Sequence, residues 1–236
     1  MHKKAPRGGR GGSVRPARTT KAPAKKPARR AAATPEEPAR LPTFRLGAVP
    51  GATPGKWIRQ WRIQRPHQPI ELIEIPVAAQ AAALADGLVD AAICRRPLEE
   101  TDLHVVALYE EVPVVVMSAD SSLAAADELN ASDLDGEVLI TPRDDVLGEL
   151  DLPTKPASFP PVNTTEDAIA TAATGVGIVV MPMSLARLHH RKDATYRPFV
   201  GGPTSDVILA WLRDRDAEDV QALVGITRGR TARSSR

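Results

Sequence analysis

This sequence predicts an α/β fold built mostly on parallel sheets, and three observations carry that prediction. Residues 44–65 read as a strand, a Gly/Pro turn and a helix; short apolar strands then alternate with helices to residue 95; and a second unit begins near residue 120. Phe44-Arg45-Leu46-Gly47-Ala48-Val49 is apolar at alternate positions and is closed by Pro50-Gly51, as a core strand ending in a loop should be. In the helix that follows, Thr53 is the expected N-cap and Pro54 the first helical residue, where a missing N–H costs nothing. Trp57, Ile58 and Trp61 form its apolar face, and Pro66 closes it. Such a turn aims the unpaired N–H groups of Gly55 and Lys56, with the Thr53 hydroxyl, beyond the strand end, which makes an anion site. The simpler alternative is an ordinary capped connection. A nucleotide-binding P-loop is disfavoured, because only three residues separate Gly51 from Gly55 and Trp57 follows Lys56.

The remaining elements follow from the same signals. Residues 70–77 form a second strand, 78–88 an Ala-rich helix and 91–95 a third strand, which gives β-α-β-α-β and right-handed crossovers. Strands are predicted at 105–108 and 112–117, with Pro113 demanding an edge or a bulge if it lies inside the latter. The second unit holds short helical pieces at 123–128 and 132–135, a strand at 138–140 and a Pro/Asp-rich loop over 144–161. A helix over 164–174 opens on a Thr164/Asp167 capping box and ends at Gly175. Beyond it come a strand at 177–181, a helix at 184–190, strands at 196–200 and 207–212, and a last helix at 217–230 with Val220, Leu223, Val224 and Ile226 inward. Residues 231–236 are a frayed tail.

Charge divides the chain. Residues 1–40 carry twelve Lys/Arg against two Glu, whereas residues 41–236 carry nineteen Lys/Arg against twenty-seven Asp/Glu. With almost no large apolar side chain, the first forty residues cannot offset their ordering entropy and are predicted to be a disordered arm. Its cations, among them Lys3, Lys4, Arg7, Arg10, Lys21, Lys25, Lys26, Arg29 and Arg30, suit non-specific binding of nucleic-acid phosphates; a solubilising spacer is the alternative. The single cysteine, Cys94, excludes an internal disulfide. No apolar run reaches the ~20 residues needed to span a bilayer, and no apolar segment of a signal peptide follows the basic start, so a cytoplasmic protein without membrane contact is expected.

Three stretches resemble one family, in order. Leu84-Ala85-Asp86-Gly87-Leu88-Val89-Asp90-Ala91-Ala92-Ile93 is similar to the helix, Gly turn, Asp and strand of the effector-binding domain of LysR-type transcriptional regulators. Residues 112–117 with Ser122-Leu123-Ala124 and Asp133-Leu134 resemble its lobe-crossing strand and the start of its second lobe, and Gly175-Val176-Gly177-Ile178-Val179-Val180-Met181-Pro182 its helix-Gly-strand-Pro segment. The resemblance covers about residues 44–229. It implies a two-lobed fold like the type 2 periplasmic binding proteins, with lobe one near 43–115 and 205–230, lobe two near 116–204, and a homodimer. It also implies a small effector, expected to be a carboxylate or other anion, bound at the carboxyl ends of the strands, where ligands of open parallel sheets bind. The candidate ligand-binding residues are Thr53, Gly55, Lys56, Arg95, Thr141, Thr164 and Met183. Family regulators carry a winged helix-turn-helix ahead of this domain; in residues 1–40 no recognition helix can be drawn, so sequence-specific DNA reading is not expected of them.

Catalytic signals are thin. Gly175-Val176-Gly177 follows a helix and precedes a strand, the reverse of a dinucleotide fingerprint, and there is no Gly-x-Ser-x-Gly elbow. His189 and His190 lie beside Arg191 and Lys192, which repel a metal ion; Asp144 and Asp145 read as a solvated turn; Cys94, next to Arg95 and Arg96, reads as a small buried residue. The expectation is a non-enzymatic effector-binding protein without cofactor or metal. The alternatives are an enzyme of the same fold acting on carboxylates, and a nucleoid-associated structural protein.

Overall fold

The computed structural model describes residues 41–229 together with Gly12; the remainder of the 1–40 arm, with the cations named for nucleic acid, and the tail lie outside the described residues. The first sheet has the order β2-β1-β3-β10-β4, from strands β1 (Phe44–Ala48), β2 (Ile70–Glu74), β3 (Ala91–Arg95), β4 (Leu103–Glu111) and β10 (Ser205–Leu212). β1 pairs parallel to β2 and β3, whereas β10 runs antiparallel between β3 and β4. Alternation sets its two faces. Phe44, Leu46, Ile93, Leu209 and Trp211 meet Ile58 and Trp61 of α1 (Gly55–Gln64) and Leu223 of α5 (Glu218–Thr227). Ala92, Cys94, Ile208 and Ala210 meet Ala83 and Leu84 of α2 (Gln80–Ala85), where small side chains let the helix lie close to the sheet.

At Val112 the chain passes to the second sheet, slightly before the boundary drawn near residue 115. Its centre is β5 (Pro113–Ser118), flanked by β8 (Val179–Pro182) and β9 (Ala194–Pro198), and both pairings are antiparallel. Pro113 is tolerated in a central strand because it is the first residue and faces Pro182, so no ladder N–H is required of either. Among the named strands the parallel pairing expected of both sheets is therefore found only in β2-β1-β3 and the short pair β6 (Val138–Leu139) with β7 (Lys155–Pro156), with isolated parallel bridges such as Leu139 to Ile178 beside them, since β5 enters its sheet from the other lobe rather than by a helical crossover. α3 (Thr165–Ala173) and α4 (Met183–Leu188) pack on β5 and β8 through Ala168, Ile169, Ala172, Leu185 and Ala186. Gly177 is needed for close approach: any Cβ there would run into the Val138 carbonyl, which accepts the Ile178 N–H at 2.8 Å.

Two local expectations change. The first bond of α1 runs from Ile58 N–H to the Pro54 carbonyl, so Pro54 occupies the N-cap and Thr53, held out of the helical region by the following proline, caps nothing with its side chain. The Ala-rich helix is shorter than predicted, a 3-10 turn at Val77–Ala79 leading into α2, which stops before Gly87 at φ 64°. At the N-cap of α3, Thr164 Oγ1 accepts the Asp167 N–H at 3.1 Å, which is the forward half of the expected capping box.

At the end of β3 away from its carboxyl terminus, Asp90 joins three elements. Its carboxylate accepts from the Arg45 backbone N–H at 2.7 Å and from the side chains of Arg45 and Arg215, and Arg215 forks onto Asp219 at 2.9 and 2.8 Å. Gln68 also donates to Asp219. The Arg215 bonds hold the Asp219 carboxyl at about 2 in the folded chain. A group depressed in the folded state contributes stability above its unfolded value of about 3.9 and loses it as pH falls through the folded value. Asp219→Asn should therefore lower the urea midpoint at pH 6 and flatten its fall between pH 4 and pH 2; identical pH profiles for the two proteins would remove Asp219 from acid stability.

Candidate functional site

The seam between the sheets is built around Arg95, the last residue of β3 and fully buried. Gln80 of α2 fixes its backbone, accepting the Arg95 N–H at 3.0 Å and donating to its carbonyl at 2.7 Å. The side chain then reaches outward. Nη1 donates to Glu111 Oε2 at 2.8 Å and to Ser205 Oγ at 2.9 Å; Nη2 donates to the Pro50 carbonyl at 3.3 Å and to Ser184 Oγ at 3.0 Å. Ser184 donates in turn to Glu111 Oε2 at 2.7 Å. Arg95 thus joins the β1–α1 turn, both chain crossings and α4, and only its Nε is a buried donor without a partner. Gly51 allows this approach. Its φ is 83°, and a Cβ there would stand 2.5 Å from Ser184 Oγ and 3.1 Å from Arg95 Nη2.

Two cavities flank the contact between Gly51 and α4. One, of about 460 Å³, is lined by residues 51–53 of the first lobe, Tyr109, Glu111 and Val112 of the crossing, and Met183, Ser184, Arg187 and Leu188 of the second lobe. Its one carboxylate, Glu111, is already paired with Arg95. Arg187 donates to Tyr196 Oη at 3.2 Å and has no carboxylate partner among the described residues. Partial burial, then the Glu111 charge, push the Tyr109 hydroxyl up and keep it protonated as a donor. The other cavity, of about 420 Å³, lies beyond the carboxyl ends of β1 and β2, between Pro50, Glu74, Pro76 and Val77 on one side and residues 143–146, 164–166, Leu185, Leu188 and His189 on the other. It is acidic. Glu74, Asp144, Asp145 and Glu166 face Arg143 and His189, and burial pushes the Asp145 carboxyl up despite the N–H groups of Leu147 and Gly148.

The residues named from sequence do not form one site. Thr53 and Met183 line the first cavity and Thr164 the second, while Thr141 lines two adjoining hollows within the second lobe, beneath the 144–161 loop. Arg95 is buried in the seam. Gly55 and Lys56, the first two residues of α1, are exposed and line none of these cavities. Sequence reasoning missed Glu111, Ser184 and Arg187. Glu111 had a faint signal, an acid directly before an apolar crossing strand; Ser184 and Arg187 had none, since each matters only through a residue far away in the chain. Among the described residues no three His, Cys, Asp or Glu side chains group as a metal site would require, and no helix is long and apolar enough to cross a membrane.

Residues 39–232 match the family described as LysR substrate binding domain. The Hca operon transcriptional activator HcaR of Escherichia coli is 23% identical over 201 residues, 79% of this chain and 67% of that protein. The HTH-type transcriptional regulator AlsR of Bacillus subtilis is 27% identical over 150 residues, 59% of this chain and 49% of that protein. The chain thus spans about half to two thirds of these relatives. Among solved structures, the BenM effector binding domain with its effector benzoate is similar at a TM-score of 0.66 and 22% identity, covering 80% of this chain and 91% of that one. The reduced form of an OxyR regulatory domain from Pseudomonas aeruginosa gives 0.61 and 24%, covering 79% and 96%. Both share the two-lobed periplasmic-binding-protein-like fold found here. With the family match spanning most of its length, this chain belongs to the LysR substrate-binding domain family.

Proposed function

We propose that this chain senses a small anionic effector between its lobes and acts in transcription regulation, as its relatives' names describe for them. The observation that carries the reading is the sign of the cavity beside the Gly51 turn. There Arg187 has no countercharge, Thr53 offers a hydroxyl from the facing lobe, and the one carboxylate is neutralised. The acidic cavity beside Glu74 and Glu166 disfavours an anion by comparison. Apolar contact from Met183, Leu188 and Val112 suits a carboxylate with a hydrocarbon body. A thermal-shift screen of small carboxylates and phosphates identifies the probe. Arg187→Ala should then weaken its binding in calorimetry by about tenfold or more, the loss of one charge-assisted bond, whereas Lys56→Glu should have a much smaller effect. Equal affinity of the Arg187 variant and the parent would move the site elsewhere.

Residues 1–40 supply non-specific affinity for nucleic acid, supported by their charge, while the body carries the opposite sign. Binding of unrelated duplexes should be about equal, and log K should fall linearly with log salt by about 0.9 for each phosphate engaged. Gel shifts should vanish when residues 1–40 are removed; residual binding by the remaining body would refute the assignment. The body pairs as a homodimer, and light scattering on residues 41–236 should return twice the chain mass. A monomer at high concentration would contradict it.

A further inference from the structure

Among the described residues every hydrophobic cluster lies inside one lobe. Two belong to the first sheet with α1, α2 and α5, and two to the second sheet with α3 and α4. None of the ion pairs among the described residues joins the lobes either. Among the described residues, apart from the backbone bond of Met183 N–H to the Val112 carbonyl at the crossing itself, the hydrogen bonds that close the seam run to one side chain. Ser184 Oγ accepts from Arg95 Nη2 and donates to Glu111 Oε2. Arg95 and Glu111 belong to strands of the first sheet and stay paired with each other, and with Ser205 and the Pro50 carbonyl, wherever the second lobe stands.

We propose that Ser184 is a latch that sets the angle between the lobes. Its hydroxyl sits across a preformed ion pair, so opening the seam breaks two hydrogen bonds to charged groups without leaving either charge unpaired. A contact of that kind biases a two-state hinge and remains within reach of a small ligand's binding energy. Tightness at Gly51 adds to it. The Leu185 Cδ2 atom lies 3.2 Å from where a Cβ would stand on that residue, so α4 is seated directly on the β1–α1 turn and the latch engages only when the lobes close to this distance. Ser184 also lines the cavity proposed above for the effector, and the regulatory meaning of the latch, though not its test, rests on that proposal: an occupant touching Arg187 and Ser184 favours whichever angle its contacts complete.

The test needs no ligand. In the full chain, spin labels are placed at Ala81 on α2 and at Thr174 at the end of α3, both exposed. Cys94 does not compete for label, being fully buried with its thiol pushed up to about 12. Pulsed electron–electron resonance should give one distance population for the parent and a longer, broader one for Ser184→Ala. Arg191→Ala, on the same lobe and outside the cavity, should match the parent. Ser184 contributes to no hydrophobic cluster, so Ser184→Ala should unfold in one cooperative transition with its midpoint lowered only modestly, by the loss of two hydrogen bonds, which separates a released latch from a damaged fold. An unchanged distance distribution in Ser184→Ala overturns the latch while leaving the effector proposal intact. Loss of effector binding in Arg187→Ala with unchanged lobe distance would support that proposal alone.

Discussion

The ion pair of Arg95 and Glu111 is the constraint around which the two lobes are arranged. A guanidinium at the carboxyl end of an interior strand is admissible only if its charge and donors are met, since removing one partner of a buried pair costs about 3–5 kcal/mol. The sequence meets them with groups drawn from four places: Glu111 before the first crossing, Ser205 after the second, Pro50 at the β1–α1 turn and Ser184 on α4, while Gln80 on α2 holds the Arg95 backbone. Arg95 therefore does more than fill space. It fixes where both chain crossings leave the first sheet, and so where the second sheet stands.

Apolar burial acts at a different level. Each lobe holds two clusters on the two faces of its sheet, and these stabilise the lobes separately. The seam, by contrast, closes through the Ser184 hydrogen bonds and carries cavities. Opening such a seam trades protein hydrogen bonds for bonds to water at modest net cost, as a ligand-responsive domain requires. The two cavities then divide by charge. On one side of α4 the carboxylate is neutralised and an arginine without a carboxylate partner among the described residues remains; on the other, four carboxylates outnumber the cations. A few residues on either side of Leu188, which lines both, thus decide what kind of molecule can enter each.

The local reading of the chain held where short-range physics controls it. The strand at 91–95, the Thr164 cap and the apolar faces of α1 and α5 lie where alternation, capping chemistry and helical period place them. The start of α1 shifted by one residue, because a proline's effect on its predecessor outweighed the capping tendency of Thr53. Strand direction in the second sheet was hidden for a different reason. Nothing between residues 113 and 198 states that β5 is the central strand and that β8 and β9 return along it.

Fold class, family resemblance and charge division were determined by the sequence alone, since periodicity, Gly/Pro punctuation and the count of Lys, Arg, Asp and Glu are properties of the chain read in order. Which residues meet in the seam was decided only by tertiary structure. Arg95 and Ser184 are 89 positions apart, and Arg95 and Ser205 are 110 apart. No pattern of neighbours along the chain encodes such a pair. Their meeting depends on the exact height at which the chain leaves one sheet and enters the other, and that height is set by packing against Gly51, where a side chain would not fit.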